Sequence, residues 1–188
     1  MSESVLGDGL VFEALLPLSW TVGPLPDELQ LSRLNAENHQ LLAADSSLDE
    51  AYLHEGLKDQ APALVHELQR LDHKLNILLR LTAELALREF GLPPAREVKF
   101  SSAGLAWSGD PAPAPGTTGM LMLYVNPSLH QPLKIPARVV DSSHNESISA
   151  GLQFTGLSDA VVELIEKMIF RRHRRLVAGS RTAAPRRP

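Results

Sequence analysis

Seven histidines, no cysteine, and the neighbours Asp141, Ser142, Ser143 and His144 are the residues of this chain whose types could do chemistry. A metal site needs ligands that converge at fixed spacing, and a nucleophilic site needs a base and an orienting acid in defined geometry. His66 and His73 stand seven apart, and His66-Glu67 is not followed by a histidine at the spacing of helical zinc hydrolases. A solvated surface role is expected for both. Ser101 and Ser102 lie in Phe-Ser-Ser-Ala-Gly, which lacks the pattern of a nucleophile elbow. Their expected work is turning and capping the backbone. Consecutive residues do not make a triad, so Asp141 to His144 read as a hairpin loop. There is no glycine-rich phosphate loop. The chain is expected to hold no catalytic residue, metal or cofactor, and not to be an enzyme.

What recurs by rule is leucine. Leu57, Leu64, Leu71, Leu78 and Leu85 follow one another at intervals of seven, and Leu68 and Leu75 fill alternate positions. With these leucines at d, the a positions are Ala61, Leu68, Leu75, Thr82 and Glu89, and His66 and His73 fall outside at f. A heptad stripe is an incomplete surface that must be buried against another helix. The flanking sites are mixed at first, with Val65, Glu67, Asp72 and Lys74, and then turn apolar at Leu79, Leu81 and Ala86. A face that wide exceeds a two-stranded seam and favours three or four helices, with a tetramer preferred. The residues expected to carry self-association are Leu57, Leu64, Leu68, Leu71, Leu75, Leu78, Leu79, Leu81, Thr82 and Leu85. The alternative is that this helix folds back on helix 27–44 or on the body of its own subunit.

The elements around the repeat follow from local signals. Residues 10–22 read as a strand broken near Pro17. Gly23-Pro24-Leu25-Pro26 stops it, and a helix should run from Asp27 to about Ala44 with Leu34, Leu41 and Leu42 buried. Ser47 and Glu50 have capping-box spacing for another helix, which Gly56 and Pro62 should break near 58–61. Asp59 could cap a fresh helix, leaving a secure coil over 62–90, about 43 Å long. From residue 97 the period becomes two. Residues 97–107, 118–126, 133–142 and 147–157 are four strand candidates, and 109–116 is a loop by composition. Short strands at this spacing suggest a small antiparallel barrel or sandwich. Residues 158–177 then form an amphipathic helix capped by Ser158, with a disordered Arg-, Ala- and Pro-rich tail from Gly179. Trp20 and Trp107 are expected in the core or half-exposed on the barrel, with a partner surface the less favoured reading.

Charge bounds the partners. Residues 1–170 carry all 22 acids against 11 lysines and arginines, a formal −11, whereas the remainder carries +7. That is not the distribution of a dedicated nucleic-acid-binding domain. The run Arg171-Arg172-His173-Arg174-Arg175 complements a helix C-terminus, with weak contact to an acidic partner as the functional alternative. The lack of cysteine fits a reducing compartment, and neither a secretory signal nor a membrane-spanning run is evident. A cytoplasmic location is expected.

One family resemblance gathers these parts. Lys99-Phe100-Ser101-Ser102-Ala103-Gly104-Leu105, Pro115-Gly116, the strand Met120–Val125, Ala137-Arg138-Val139-Val140, Gly151-Leu152-Gln153-Phe154 and the closing helix together resemble a PilZ domain, the bacterial module that binds cyclic di-GMP. The family's second motif is Asp or Asn, any residue, Ser, two residues, Gly. Ser101 and Gly104 match it, and Lys99 stands at the first position. The first motif, two arginines three residues apart before the first strand, is missing, since no arginine precedes Arg33.

The resemblance implies an α+β fold: a small antiparallel barrel with a C-terminal helix and a long inserted helical segment. Residues 1–26 would supply the first strand, 27–92 the insertion, 93–178 the rest of the barrel and its helix, and 179–188 a basic tail. It further implies an oligomeric, degenerate PilZ adaptor in cyclic di-GMP-related signalling, concerned with motility, pili or virulence. Such an adaptor would act through an unidentified protein partner and bind the nucleotide poorly, because lysine cannot reproduce a bidentate guanidinium fork. The alternative is a sensor that retains cyclic di-GMP through Lys99, Ser101 and Arg138.

Overall fold

Strand β1 (Phe12–Val22) closes a barrel because it has two partners. Its first half, Phe12 to Pro17, pairs with β2 (Ala95–Phe100), and its second half, Leu18 to Val22, pairs with β4 (Thr118–Leu123). With β3 (Gly104–Ser108), β5 (Leu133–Ser143) and β6 (Ser149–Phe154), the cyclic order is β1-β2-β3-β6-β5-β4, antiparallel at each pairing. The computed structural model describes residues 3–7, 9–49, 66–68, 70–71, 73–75, 77–78, 81–82, 85, 91–109, 113–126, 131–143 and 149–182.

Three readings of the strands need correction. Pro17 does not break β1. It sits where the strand passes from one ladder to the other, a position that tolerates a missing amide, and its carbonyl accepts the Tyr124 amide at 3.0 Å. Residues 97–107 are not one strand but a hairpin, β2 and β3, that reverses at Ser102-Ala103. Asp141, Ser142 and Ser143 belong to the end of β5, paired with β6, rather than to a loop; His144 lies outside the described residues. Alternation sends Leu16, Leu18, Val98, Phe100, Leu105, Trp107, Leu121, Leu123, Ile135 and Leu152 into the interior.

Helix α1 (Glu3–Leu6) was not evident from the sequence. Helix α2 (Glu28–Asp49) opens with a reciprocal box. The Gln30 amide donates to Asp27 Oδ1 at 2.8 Å and the Asp27 amide to Gln30 Oε1 at 3.1 Å. It runs past Ala44 to Asp49, so Ser47 lies inside a helix instead of starting one. The expected break at 58–61 and the cap at Asp59 fall outside the described residues. Those described between 66 and 85 are helical and exposed. Helix α3 (Asp159–Thr182) extends five residues beyond the expected end at 177 and takes in Gly179. A single glycine costs a helix about 1 kcal/mol, which surrounding arginine, alanine and leucine absorb. None of the helices among the described residues is long and apolar enough to cross a membrane.

α2 is fastened to the barrel by side chains that imitate backbone. Asn38, 2% exposed, donates from Nδ2 to the Lys134 carbonyl and accepts the Lys134 amide at Oδ1, both at 2.9 Å. Asn35, one turn earlier, donates to the Gly156 carbonyl at 2.9 Å and accepts the Ser158 amide at 3.0 Å. Asp45 accepts from Asn126 Nδ2 at 2.8 Å and faces Arg172 of α3 at 3.8 Å, whose guanidinium covers the Phe12 ring. Leu41 and Leu42 complete this buried side, and α3 adds Val161, Ile165, Met168 and Ile169 to the same core.

Removing Asn38 strands a donor and an acceptor of β5. Asn38→Ala should cost about 2–3 kcal/mol, read as a lower urea midpoint at unchanged slope, and Asn35→Ala, at a more exposed joint, about 1 kcal/mol.

Candidate functional site

The matching part of the second motif is a two-residue reversal. Ser101, fully buried, accepts the amides of Ala103 and Gly104 at 3.2 Å each through Oγ. Its own amide donates to the Gly104 carbonyl at 2.9 Å, and the Phe154 amide donates to the Ala103 carbonyl at 3.0 Å. The expected role of turning and capping is what the hydroxyl performs. Ser102 ties the same turn to α3 by donating to Glu166 Oε1 at 2.9 Å.

Beside this turn, the outer face of β1, β2 and β3 holds a groove of about 420 Å³. Glu13, Leu15, Glu97, Lys99, Ala106 and Ser108 are among its lining residues, with Trp107 also contributing. Its charges are two carboxylates and one ammonium. Lys99 stands directly opposite Glu13 in the ladder and pairs with it at 2.9 Å. With both side chains more than half exposed, the pair contributes at most about 1 kcal/mol, yet it directs the ammonium at a carboxylate. No arginine among the described residues lines the groove. Among the described residues, the buried Trp107 indole N–H meets no hydrogen-bond acceptor, and that of half-buried Trp20 is in the same condition.

The structure does not bring Lys99, Ser101 and Arg138 together. Register runs Lys99–Ala106–Gly151–Asp141 across β2, β3, β6 and β5, and Arg138 lies on the next row of β5 beside Gln153. Three strand spacings separate the two cations, about 14 Å. Between them lies α1. Val5 and Leu6 are buried against the outer faces of β3 and β6, with Val5 touching the Gly104 backbone. This cover carries no periodic signal, because four helical residues are too few to show one.

The leucine series stands apart from the groove. Leu68, Leu71, Leu75, Leu78, Leu81 and Leu85 are all exposed in the single chain, between 44% and 64%. Thr82 Oγ1 donates to the Leu78 carbonyl one turn back at 3.0 Å. Leu57, Leu64 and Leu79 lie outside the described residues. His66 and His73 are exposed, and among the described residues there is no group of three His, Asp or Glu that could hold a metal ion.

With a closed six-stranded barrel, a closing helix and the Ser-x-x-Gly turn in place, comparison with known proteins decides the family. Residues 42–182 match the family model described as atypical PilZ domain, cyclic di-GMP receptor. The chain belongs to the atypical PilZ family. Among solved structures it is similar to a pathogenic protein from Xanthomonas campestris, a tetrameric PilZ domain self-assembled via an unusual helical bundle. The two share 28% identity at a TM-score of 0.75, over 93% of this chain and 94% of that one. No curated protein matches. The PilZ fold read from the strand order and closing helix is thus the fold of the chain, and this PilZ barrel keeps the family's turn while its lysine is engaged by a glutamate.

Ser101→Ala should leave two amides without their acceptor and cost about 1–3 kcal/mol in denaturant titration. Lys99→Ala, which breaks an exposed pair, should shift stability by less than about 0.5 kcal/mol.

Proposed function

We propose that this PilZ protein is a non-enzymatic adaptor that self-assembles through its heptad helix, as a tetramer, and displays four barrels to a protein partner in the cytoplasm. The observation that carries the reading is the row Leu68, Leu71, Leu75, Leu78 and Leu85, exposed along one helical face. A soluble chain does not leave such a stripe in water, and a second copy presents the same stripe. The tetrameric neighbour, at 28% identity over nearly the whole chain, supports a bundle as the means of burial. Linked barrels gain avidity for a partner without any new contact.

The same reading holds that cyclic di-GMP binds weakly. A ligand with two phosphates would meet Glu13 and Glu97 in the groove, no guanidinium fork, and Lys99 already paired. The family description as a cyclic di-GMP receptor supports the opposite reading, a sensor. The separation of Lys99 from Arg138 weighs against it.

Light scattering should give a mass near four times the 20.5 kDa chain, and Leu71→Asp with Leu78→Asp should reduce it to monomer or drive aggregation. An unchanged mass in the double variant would refute the seam. Isothermal titration with cyclic di-GMP should show no low-micromolar binding, and a constant in that range would transfer the chain to the sensor class.

A further inference from the structure

Val5 and Leu6 are 4% and 5% exposed although they belong to a helix of only four residues. What buries them is a trough on the outer face of β3 and β6. Leu105 and Ala150 and Leu152 point into the core, so Gly104 and Gly151 take the outward positions between them. Neither has a side chain to keep α1 away. A Cβ on Gly104 would run into the carbonyl oxygen of Leu152 and come within 2.5 Å of the Val5 carbonyl oxygen. A Cβ on Gly151 would meet Val5 Cγ2 at 3.1 Å, with nothing else closer than 3.7 Å. Gly7, at φ +63°, then turns the chain with its Cα against Ala103. The trough therefore reads a short peptide: a carbonyl over Gly104, an aliphatic side chain over Gly151 and a left-handed glycine after them.

We propose that this trough is a binding site for a short apolar turn of peptide, occupied in cis by Val5, Leu6 and Gly7 as a tethered ligand that a peptide of the same chemistry displaces. Two aliphatic side chains are a small gain against the ordering of five residues, so the closed state is shallow. Peptide, not nucleotide, is the ligand class. The contacts that fill the trough are aliphatic and backbone ones, Val5 Cγ2 over Gly151 and the Val5 carbonyl over Gly104. The cations that flank it stand on opposite sides, Lys99 paired with Glu13 and Arg138 in the Gln153 row of β5, with Asp141 beside Gly151, so they form no single phosphate clamp. The site is independent of the heptad helix, and its test does not depend on the oligomeric state.

The chain has no cysteine, so Val5→Cys provides a unique thiol whose labelling rate reports how often the trough opens. In the full-length protein, labelling by an aromatic disulfide reagent should be at least about tenfold slower than in a synthetic peptide of residues 1–9 carrying the same change. Adding the unmodified peptide MSESVLGDG should accelerate labelling at least about fivefold at millimolar concentration, the order of the tether's effective concentration. The same peptide with Val5→Asp and Leu6→Asp should do nothing. Gly151→Val in the same background should bring the rate within about threefold of the free peptide at unchanged circular dichroism. Should that variant misfold, Gly151→Ala combined with Leu6→Cys in place of Val5→Cys keeps the Val5 contact that the added carbon crowds, and should give a smaller change in the same direction. Labelling at the free-peptide rate in the parent, or no acceleration by MSESVLGDG, would overturn the proposal. So would equal acceleration by the charged peptide, and acceleration by cyclic di-GMP alone would make the trough a nucleotide site instead.

Discussion

The pair of hydrogen bonds between Asn38 and the backbone of Lys134 fixes what the rest of the molecule can do. An amide side chain that both donates to and accepts from one residue behaves as a short piece of strand, and it defines distance and rotation together. Asn35 repeats the device one turn away on Gly156 and Ser158. Two bidentate joints a helical turn apart leave α2 no freedom to roll or slide on the barrel. Gly156 belongs to the same construction: its positive φ turns the chain from β6 towards α3, and Leu31 of α2 packs where a Cβ would stand. The helix that leads towards the leucine series therefore leaves the barrel at a set angle.

Further along α2, Asp45 serves a different neighbour. It receives Asn126 from beyond β4 and faces Arg172, which in turn covers Phe12 at the start of β1. Burial makes the ion pair modest in energy, since desolvation offsets much of the Coulomb gain at 3.8 Å. Its value is geometric, because it links α2, α3 and the barrel at one place. In the proposed bundle, each barrel would keep α2 and α3 in one arrangement, and the bundle would set the spacing between barrels. Avidity then depends on whether the partner's sites match that spacing.

Much of this was legible in the residues. Period-two alternation located the strands, the Gly-Pro cluster at 23–26 separated β1 from α2, and the Ser-x-x-Gly turn with the closing helix pointed to a PilZ barrel. What escaped did so for definable reasons. Asn38 and Asp45 are polar, so the buried side of α2 was read as Leu34, Leu41 and Leu42, although 38, 41, 42 and 45 share one helical face. A buried polar residue is recognisable only once its partner is known, and Lys134 is 96 residues away. Pro17 was read as a break because proline in a central ladder would be one; barrel closure supplies the handover that a linear reading cannot contain. Ser47 and Glu50 satisfy a capping pattern that also occurs by chance inside helices, where preceding turns already supply the acceptors.

The candidate site shows the same limit in sharper form. Lys99, Ser101 and Gly104 were identified by position, but their present partners could not be. Lys99 meets Glu13 across the first ladder, Ser101 spends its oxygen on two amides of its own turn, and Gly104 receives the backbone of Val5. Each is thus engaged within the chain. Ser101 and Gly104 need no nucleotide to account for them, because a tight reversal needs the hydroxyl and a close backbone contact needs the missing Cβ. Retaining two motif residues is therefore weak support for retained ligand binding. The stronger observation is what stands beside the turn: Val5 packs over Gly104 and Gly151, and the neighbouring groove holds Glu13, Glu97 and the paired Lys99, with no guanidinium brought to it by the described residues. That chemistry suits a surface closed by peptide far better than one opened to phosphate.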